Sequence, residues 1–233
     1  QHVKDTLDKD EAEILTGEEK GRILGQEVGD IIEVNAPYDP TDHLAVGFSF
    51  IWKDSKNVNH NIVITSLNDT SVYFTYDGSA RSYSRANFRQ NYGVESATVI
   101  QNAIDSANYG DTILLREGRY NFYWGSLKLK AGINLVGEGA DKTKIIRNNG
   151  TYTGILSVIN APDVTIKGIT FSGNPSLNAY PRTAISAQTS RNLLIEDCVF
   201  TGFGGINAGA IRVGWVSGAY PGYQDVDYNV TIK

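Results

Sequence analysis

The sequence predicts an all-β solenoid: a right-handed parallel β-helix over residues 94–233 with an N-terminal capping helix, preceded by a small α+β domain over residues 1–93. Three observations lead there. Rows of similar residues recur in the second half, with Ile133, Val164, Leu193 and Val230 equivalent and spaced 31, 29 and 37 residues apart, a period typical of repeat arrays. Within the rows apolar residues alternate with polar ones, Val164 and Ile166 against Thr165 and Lys167, the two-residue period of a strand. Ahead of the rows, Ile100, Ala103, Ile104 and Ala107 fall on one face of a helix.

The elements follow in order. A polar helix is expected around Asp8 to Lys20, then strands at Asp30 to Val34, Leu44 to Trp52, Asn61 to Ser66 and Ser71 to Tyr76. Asn68-Asp69 marks a hairpin turn between the last two. The helix from Ser96 to Ala107 takes Ser96 as N-cap, stops before Gly110, and covers the first apolar row. Each later row reaches a bend at Gly137, Gly168 or Asp197, residue types that tolerate a left-handed backbone. A second short strand follows, in which Ile169 and Phe171 match Cys198 and Phe200. Further apolar segments lie at Lys144 to Arg147, Gly154 to Ile159, Thr183 to Ala187 and Ala210 to Val213.

Composition narrows the function. The 233 residues are 41% hydrophobic and 20% charged, enough for a core. A net charge of -5 without a dense basic run argues against nucleic acid as a partner. No apolar run approaches the ~20 residues of a transmembrane segment. The single Cys198 makes no internal disulfide. No cofactor is expected; Ca²⁺ enters only as an ion that lyases on β-helices often use. The chain begins at Gln1 and lacks Met, as a processed or partial chain would.

Val99-Ile100-Gln101-Asn102-Ala103-Ile104-Asp105-Ser106-Ala107, then Gly110-Asp111-Thr112-Ile113, Glu117-Gly118-Arg119-Tyr120 and Leu135-Val136-Gly137-Glu138-Gly139, resemble the opening of the pectate-lyase-like parallel β-helix superfamily. The resemblance implies the fold of residues 94–233. That superfamily spans polysaccharide lyases, glycoside hydrolases, phage tailspikes, adhesins and structural proteins, so it chooses no activity.

A second resemblance covers about residues 55–92. The run from Asn59-His60-Asn61 through Tyr76-Asp77-Gly78, followed by Tyr83-Ser84-Arg85, is similar to the C-terminal half of bacteriocin-processing papain-like peptidases. It implies His60 as a base and Asp77 as its orienting carboxylate. No cysteine precedes them, and Cys198 aligns with inward-facing Ile169 as a small core residue.

On the solenoid the available acids are Glu138 with Asp141, Glu196 with Asp197, and Asp225 with Asp227; the bases are Lys167, Arg191 and Arg212. None forms a cluster diagnostic of a lyase or hydrolase. Aromatic residues in loops are better candidates for carbohydrate or interface contact: Tyr123, Trp124, Tyr180, Trp215, Tyr220 and Tyr223. The expectation is an extracellular or cell-surface structural or adhesive protein, self-associating through the strand edge at Asn229 to Lys233 or binding surface glycans. The alternatives are a polysaccharide lyase, hydrolase or phage tailspike with catalytic turns past the chain end, and a cysteine peptidase fragment.

Overall fold

The computed structural model describes residues 29–148, 154–173, 183–203, 209–214 and 230–233. The expected helix at Asp8 to Lys20 lies outside them. Four strands, β2 (Ser49–Lys53), β3 (Asn59–Leu67), β4 (Ser71–Tyr76) and β5 (Ser79–Ser84), form an antiparallel sheet in chain order. Alternation decides its faces: Ile62, Ile64, Val72 and Phe74 are buried, while Tyr73 between them is exposed. Asn68 makes the expected turn, its Oδ1 accepting the Thr70 and Ser71 amides at 3.0 and 2.7 Å. A helix absent from the sequence expectation, α1 (Arg85–Tyr92), follows β5. Ser84 caps it by accepting the Asn87 amide at 3.2 Å, and Phe88 and Tyr92, one turn apart, pack edge-on against Phe74.

The remaining strands run parallel in three sheets. The first orders β1 (Ile31–Val34), β6 (Thr112–Leu115), β9 (Asn134–Gly137), β12 (Thr165–Lys167), β15 (Leu193–Glu196) and β18 (Val230–Ile232). The second contains β7 (Gly118–Phe122), β10 (Thr143–Arg147), β13 (Thr170–Ser172) and β16 (Val199–Thr201). The third contains β8 (Leu127–Lys128), β11 (Leu156–Ile159), β14 (Ile185–Gln188) and β17 (Ile211–Val213). Pairing registers set Ile113, Leu135, Ile166, Ile195 and Ile232 in one column. Tyr120, Ile145, Phe171 and Phe200 form a second, and Leu127, Leu156, Ile185 and Ile211 a third. Inward residues of all three sheets share one core.

These findings correct the expected fold class. Among the described residues the chain is mostly strands with two α-helices, and it forms three separate parallel sheets beside an antiparallel one; no closed solenoid is present. The physical reason is that each strand ends at a bend. Gly168 and Asp197 turn the chain with φ of +67° and +52°, and Asp163 and Asn192 with +59° and +55°, so the strand direction changes there, although the Gly168, Asp197 and Asp163 amides still donate to Glu196, Lys233 and Arg191 carbonyl oxygens one repeat on. The three sheets are separate, and their inward side chains meet in the core. Gly137 is not a left-handed bend as expected; it ends β9, where a Cβ would lie 2.5 Å from the Gly168 carbonyl oxygen. β1, which the sequence places in the N-terminal domain, is the edge strand of the first parallel sheet.

The helix expected before the rows is α2 (Ala97–Ser106). Ile100 and Ile104 are fully buried, and the helix packs on β1, β6, β7 and β8, covering one end of the parallel-sheet core. Ser96 does not cap it with its side chain. Its Oγ accepts the Asn121 amide at 3.0 Å instead, and Glu95 Oε1 takes the Ala97 amide at 2.9 Å.

The antiparallel sheet with α1 has its own apolar cluster. A buried polar node joins it to the parallel sheets. Asp39 accepts from Tyr123 Oη at 2.8 Å, Asn121 Nδ2 at 3.0 Å, and the Val94 and Thr41 amides at 3.2 and 2.8 Å. With the Thr41 hydroxyl at 2.7 Å, five donors compensate a buried carboxylate that would otherwise be costly.

The columns make a specific prediction. Ile166→Ala, in the middle of the first column, is expected to destabilise the fold by about 2–5 kcal/mol. Lys128→Ala, on the exposed side of β8, should change stability by less than about 0.5 kcal/mol. Chemical denaturation of both variants checks this; equal, small effects would show that the column carries no load.

Candidate functional site

β3 and β4 bring the predicted His60 and Asp77 together. His60 is the second residue of β3, and Asp77 follows the last residue of β4, at a two-residue turn in which Asp77 and Gly78 have φ of +49° and +82°. Antiparallel pairing of Ile62 with Tyr76 puts the two ends side by side. His60 Nδ1 lies 2.7 Å from Asp77 Oδ2, and the Asn61 amide donates to Asp77 Oδ1 at 2.8 Å, which orients the carboxylate. The imidazole stacks on Tyr76 with centroids 4.6 Å apart and lies 5.8 Å from the Trp52 ring. Arg81 covers Tyr76 at 4.2 Å.

The other ring nitrogen faces a residue that sequence reasoning missed. Asp54, in the turn between β2 and β3, places Oδ2 3.4 Å from His60 Nε2. That is close enough for charge attraction but makes no aligned hydrogen bond. The Asp54 side chain is itself fixed, accepting the Lys56 and Val58 amides at 2.9 and 2.8 Å. The signal for it was the short polar run Asp54-Ser55-Lys56-Asn57 between two strands, which suits an Asx-type turn.

Two carboxylates around one imidazole favour its charged form. The Asp77 hydrogen bond, with help from Asp54, raises the His60 pKa against the effect of partial burial. The Asp77 pKa is lowered in turn, chiefly by its bond to His60, and that of Asp54 chiefly by the Val58 amide. A general base needs a neutral imidazole with a free nitrogen facing the nucleophile. Here Nε2 faces a carboxylate, and the arrangement suits a charged clamp between two hairpin turns.

Cys198 is not near this dyad's neighbours. It is half-buried against the parallel-sheet core, its Sγ 3.8 Å from the Ile166 carbonyl oxygen, while Trp52 and Tyr76 belong to the antiparallel-sheet cluster. Burial raises its pKa, the opposite of an activated thiol. Among the described residues no group of three His, Cys, Asp or Glu side chains could hold a metal ion.

The remaining expected contacts divide. Trp124 is 63% exposed, as a contact residue must be. Tyr123 is 1% exposed and is corrected: its hydroxyl is spent on Asp39, and burial raises its pKa far above the usual phenol value. Tyr180, Trp215, Tyr220 and Tyr223 lie outside the described residues, as do Asp225 and Asp227. Of the acids and bases expected on the parallel sheets, Glu138, Glu196, Asp197 and Lys167 are ion-paired. Arg116 bridges Glu33 and Glu138 at 2.7 and 2.6 Å, and Lys167 lies 2.8 Å from Glu196 and 3.6 Å from Asp197.

Sequence reasoning also missed Arg147, counted there within an apolar segment. It is fully buried, donates to the carbonyl oxygens of Gly125 at 2.6 Å and Gly154 at 2.8 Å, and lies under the Phe122 ring. Burial lowers its pKa to about 10. No family model, curated protein or solved structure matches this chain.

The clamp has a signed pH dependence. A raised histidine pKa stabilises the fold fully below the unfolded value near 6.5, and that share is lost as pH rises through the folded value. Lowered carboxylate pKa values contribute above about 3.9, and that share is lost as pH falls through the folded values. The stability difference between the wild type and His60→Gln should therefore be largest between about pH 4 and 6.5. Imidazole NMR titration should place His60 above its ordinary value and lower it in Asp77→Asn; an unshifted His60 would remove the clamp.

Proposed function

We propose that this protein is an extracellular or cell-surface structural or adhesive protein, in which the parallel sheets form a rigid body and self-association or glycan contact supplies adhesion. The observation that carries this reading is how the charged residues are used. Arg116 ties β1 to the segments after β6 and β9 through Glu33 and Glu138, and Lys167 ties β12 to β15 through Glu196. Groups that a lyase or hydrolase would keep poised for proton transfer are committed to holding neighbouring strands. Among the described residues β16, β17 and β18 lie at the sheet edges, and Val199, Val213 and Ile232 on them are substantially exposed, which supports association through that side.

A glycan-active enzyme or tailspike is the second reading. An open groove of about 490 Å³ on the outer face of the second sheet favours it, because Arg119, Lys144 and Asp141 line it beside the hydroxyls of Thr170, Ser172 and Thr201. A single carboxylate there falls short of the acid pair a hydrolase uses. The peptidase reading has less support, since the His60 Nε2 side is held by Asp54.

The purified chain should be retained on cell-envelope polysaccharide or show concentration-dependent association in sedimentation velocity, without releasing products. Release of unsaturated sugars from acidic polysaccharide would overturn the proposal. So would peptide cleavage that is lost in His60→Ala.

A further inference from the structure

The triplet Asn-X-Thr, with X other than Pro, stands at Asn68, Asn149 and Asn229. Asn149 and Asn229 lie outside the described residues. Asn68 sits in the turn between β3 and β4, at the end of the antiparallel sheet away from His60 and Asp77. Asn68, Asp69 and Thr70 are all exposed.

The turn holds the Asn68 carboxamide in one orientation. Its Oδ1 accepts the Thr70 and Ser71 amides and also the Thr70 hydroxyl, at 3.1 Å. Backbone amides can only donate, so the oxygen is the atom turned into the bend and Nδ2 is the atom turned away from it. Nδ2 makes no hydrogen bond among the described residues. The backbone is pinned as well. Arg85 Nε donates to the Asn68 carbonyl oxygen at 2.7 Å, the Arg85 amide donates to the Thr70 carbonyl oxygen at 2.9 Å, and the Asn68 amide donates to the Ser71 carbonyl oxygen at 3.1 Å.

This geometry bears on reactivity. A carboxamide nitrogen is a weak nucleophile because its lone pair is delocalised onto the oxygen. Loss of an Nδ2 proton moves negative charge onto Oδ1, where three donors converge, and hydrogen bonds to a charged form favour that form. The Thr70 hydroxyl is one of the three, so the residue type two positions after the asparagine matters for a stated reason.

We propose that Asn68 is an acceptor site for an N-linked glycan. In the transfer, Nδ2 attacks C1 of a glycan carried on a lipid pyrophosphate. The Nδ2–C1 bond forms as the C1–O bond breaks, the lipid pyrophosphate leaves with the electron pair, and Nδ2 gives one proton to a base of the transferase; nothing is oxidised or reduced. The proposal goes beyond the adhesive reading and takes from it only the location, since such acceptors are surface loops of secreted chains. A glycan there adds bulky, solubilising cover at one end of the antiparallel sheet.

The test incubates the intact folded chain with an oligosaccharyltransferase and a polyprenyl-pyrophosphate-linked oligosaccharide, and reads the product by intact mass and glycopeptide sequencing. A peptide of residues 64–75 serves as the reference acceptor. The folded chain should gain a glycan at Asn68, Asn68→Gln and Thr70→Ala should lose it, and Thr70→Ser should retain it. A modified peptide beside an unmodified Asn68 in the folded chain overturns the proposal, because the fold would then hide the acceptor. So does an unmodified peptide, or full modification of Thr70→Ala. Failure of transfer in a chain that self-associates or is retained on polysaccharide leaves the adhesive reading standing. Transfer to Asn68 in a chain that does neither supports the site and overturns that reading.

Discussion

In-register parallel pairing is the constraint on which this molecule depends. Because strands of the first sheet return after about thirty residues with the same face inward, Leu135, Ile166 and Ile195 stack without offset and each buries the next. A slip of one residue would turn each of these outward and replace it with Thr165, Lys167 or Leu194. The second sheet repeats the pattern with Phe171 stacked on Phe200, rings parallel within 6° at 5.4 Å. The bends follow the same register: Asn192 donates to Asp163 at 2.7 Å, and the Thr189 hydroxyl bonds Asn160, each one repeat away.

The two halves are joined differently. Apolar contact builds each core, but Asp39 and its donors form the seam, so the junction is directional and polar. Asn121 belongs to both sides of it, donating to Asp39 and to Asp42 and accepting from Asn148. The same seam holds Tyr123, and with it the base of the loop that displays Trp124.

Much of this was legible in the residues. Alternation in Val164 to Lys167 and Leu193 to Glu196 gave the strands and their register, because a two-residue period permits only one buried face. His60 and Asp77 were singled out by the resemblance to a peptidase half, and the structure brings them into a 2.7 Å contact. The closed solenoid did not follow, since periodicity fixes pairing within a sheet and says nothing of whether successive sheets close into a ring. Tyr123 was misread because a loop aromatic reads as exposed unless its hydroxyl is known to have a buried acceptor. Arg147 was hidden because the pattern counts a charged residue as outward, and only the carbonyl oxygens of Gly125 and Gly154 make its burial tolerable. α1 carried a signal that went unused, Ser84 before Phe88 and Tyr92 at helical spacing.

The central claim, that side chains about one repeat apart lie directly opposite one another, is tested most directly by cysteine cross-linking in a Cys198→Ala background. Thr165 and Leu194 are paired on neighbouring strands, so cysteines at those two positions should form a disulfide in the folded protein on mild oxidation. Cysteines at 165 and 195 should not, because neighbouring positions on a strand face opposite sides of the sheet. Efficient cross-linking of the 165/195 pair, with none at 165/194, would contradict the register and the stacked columns built on it.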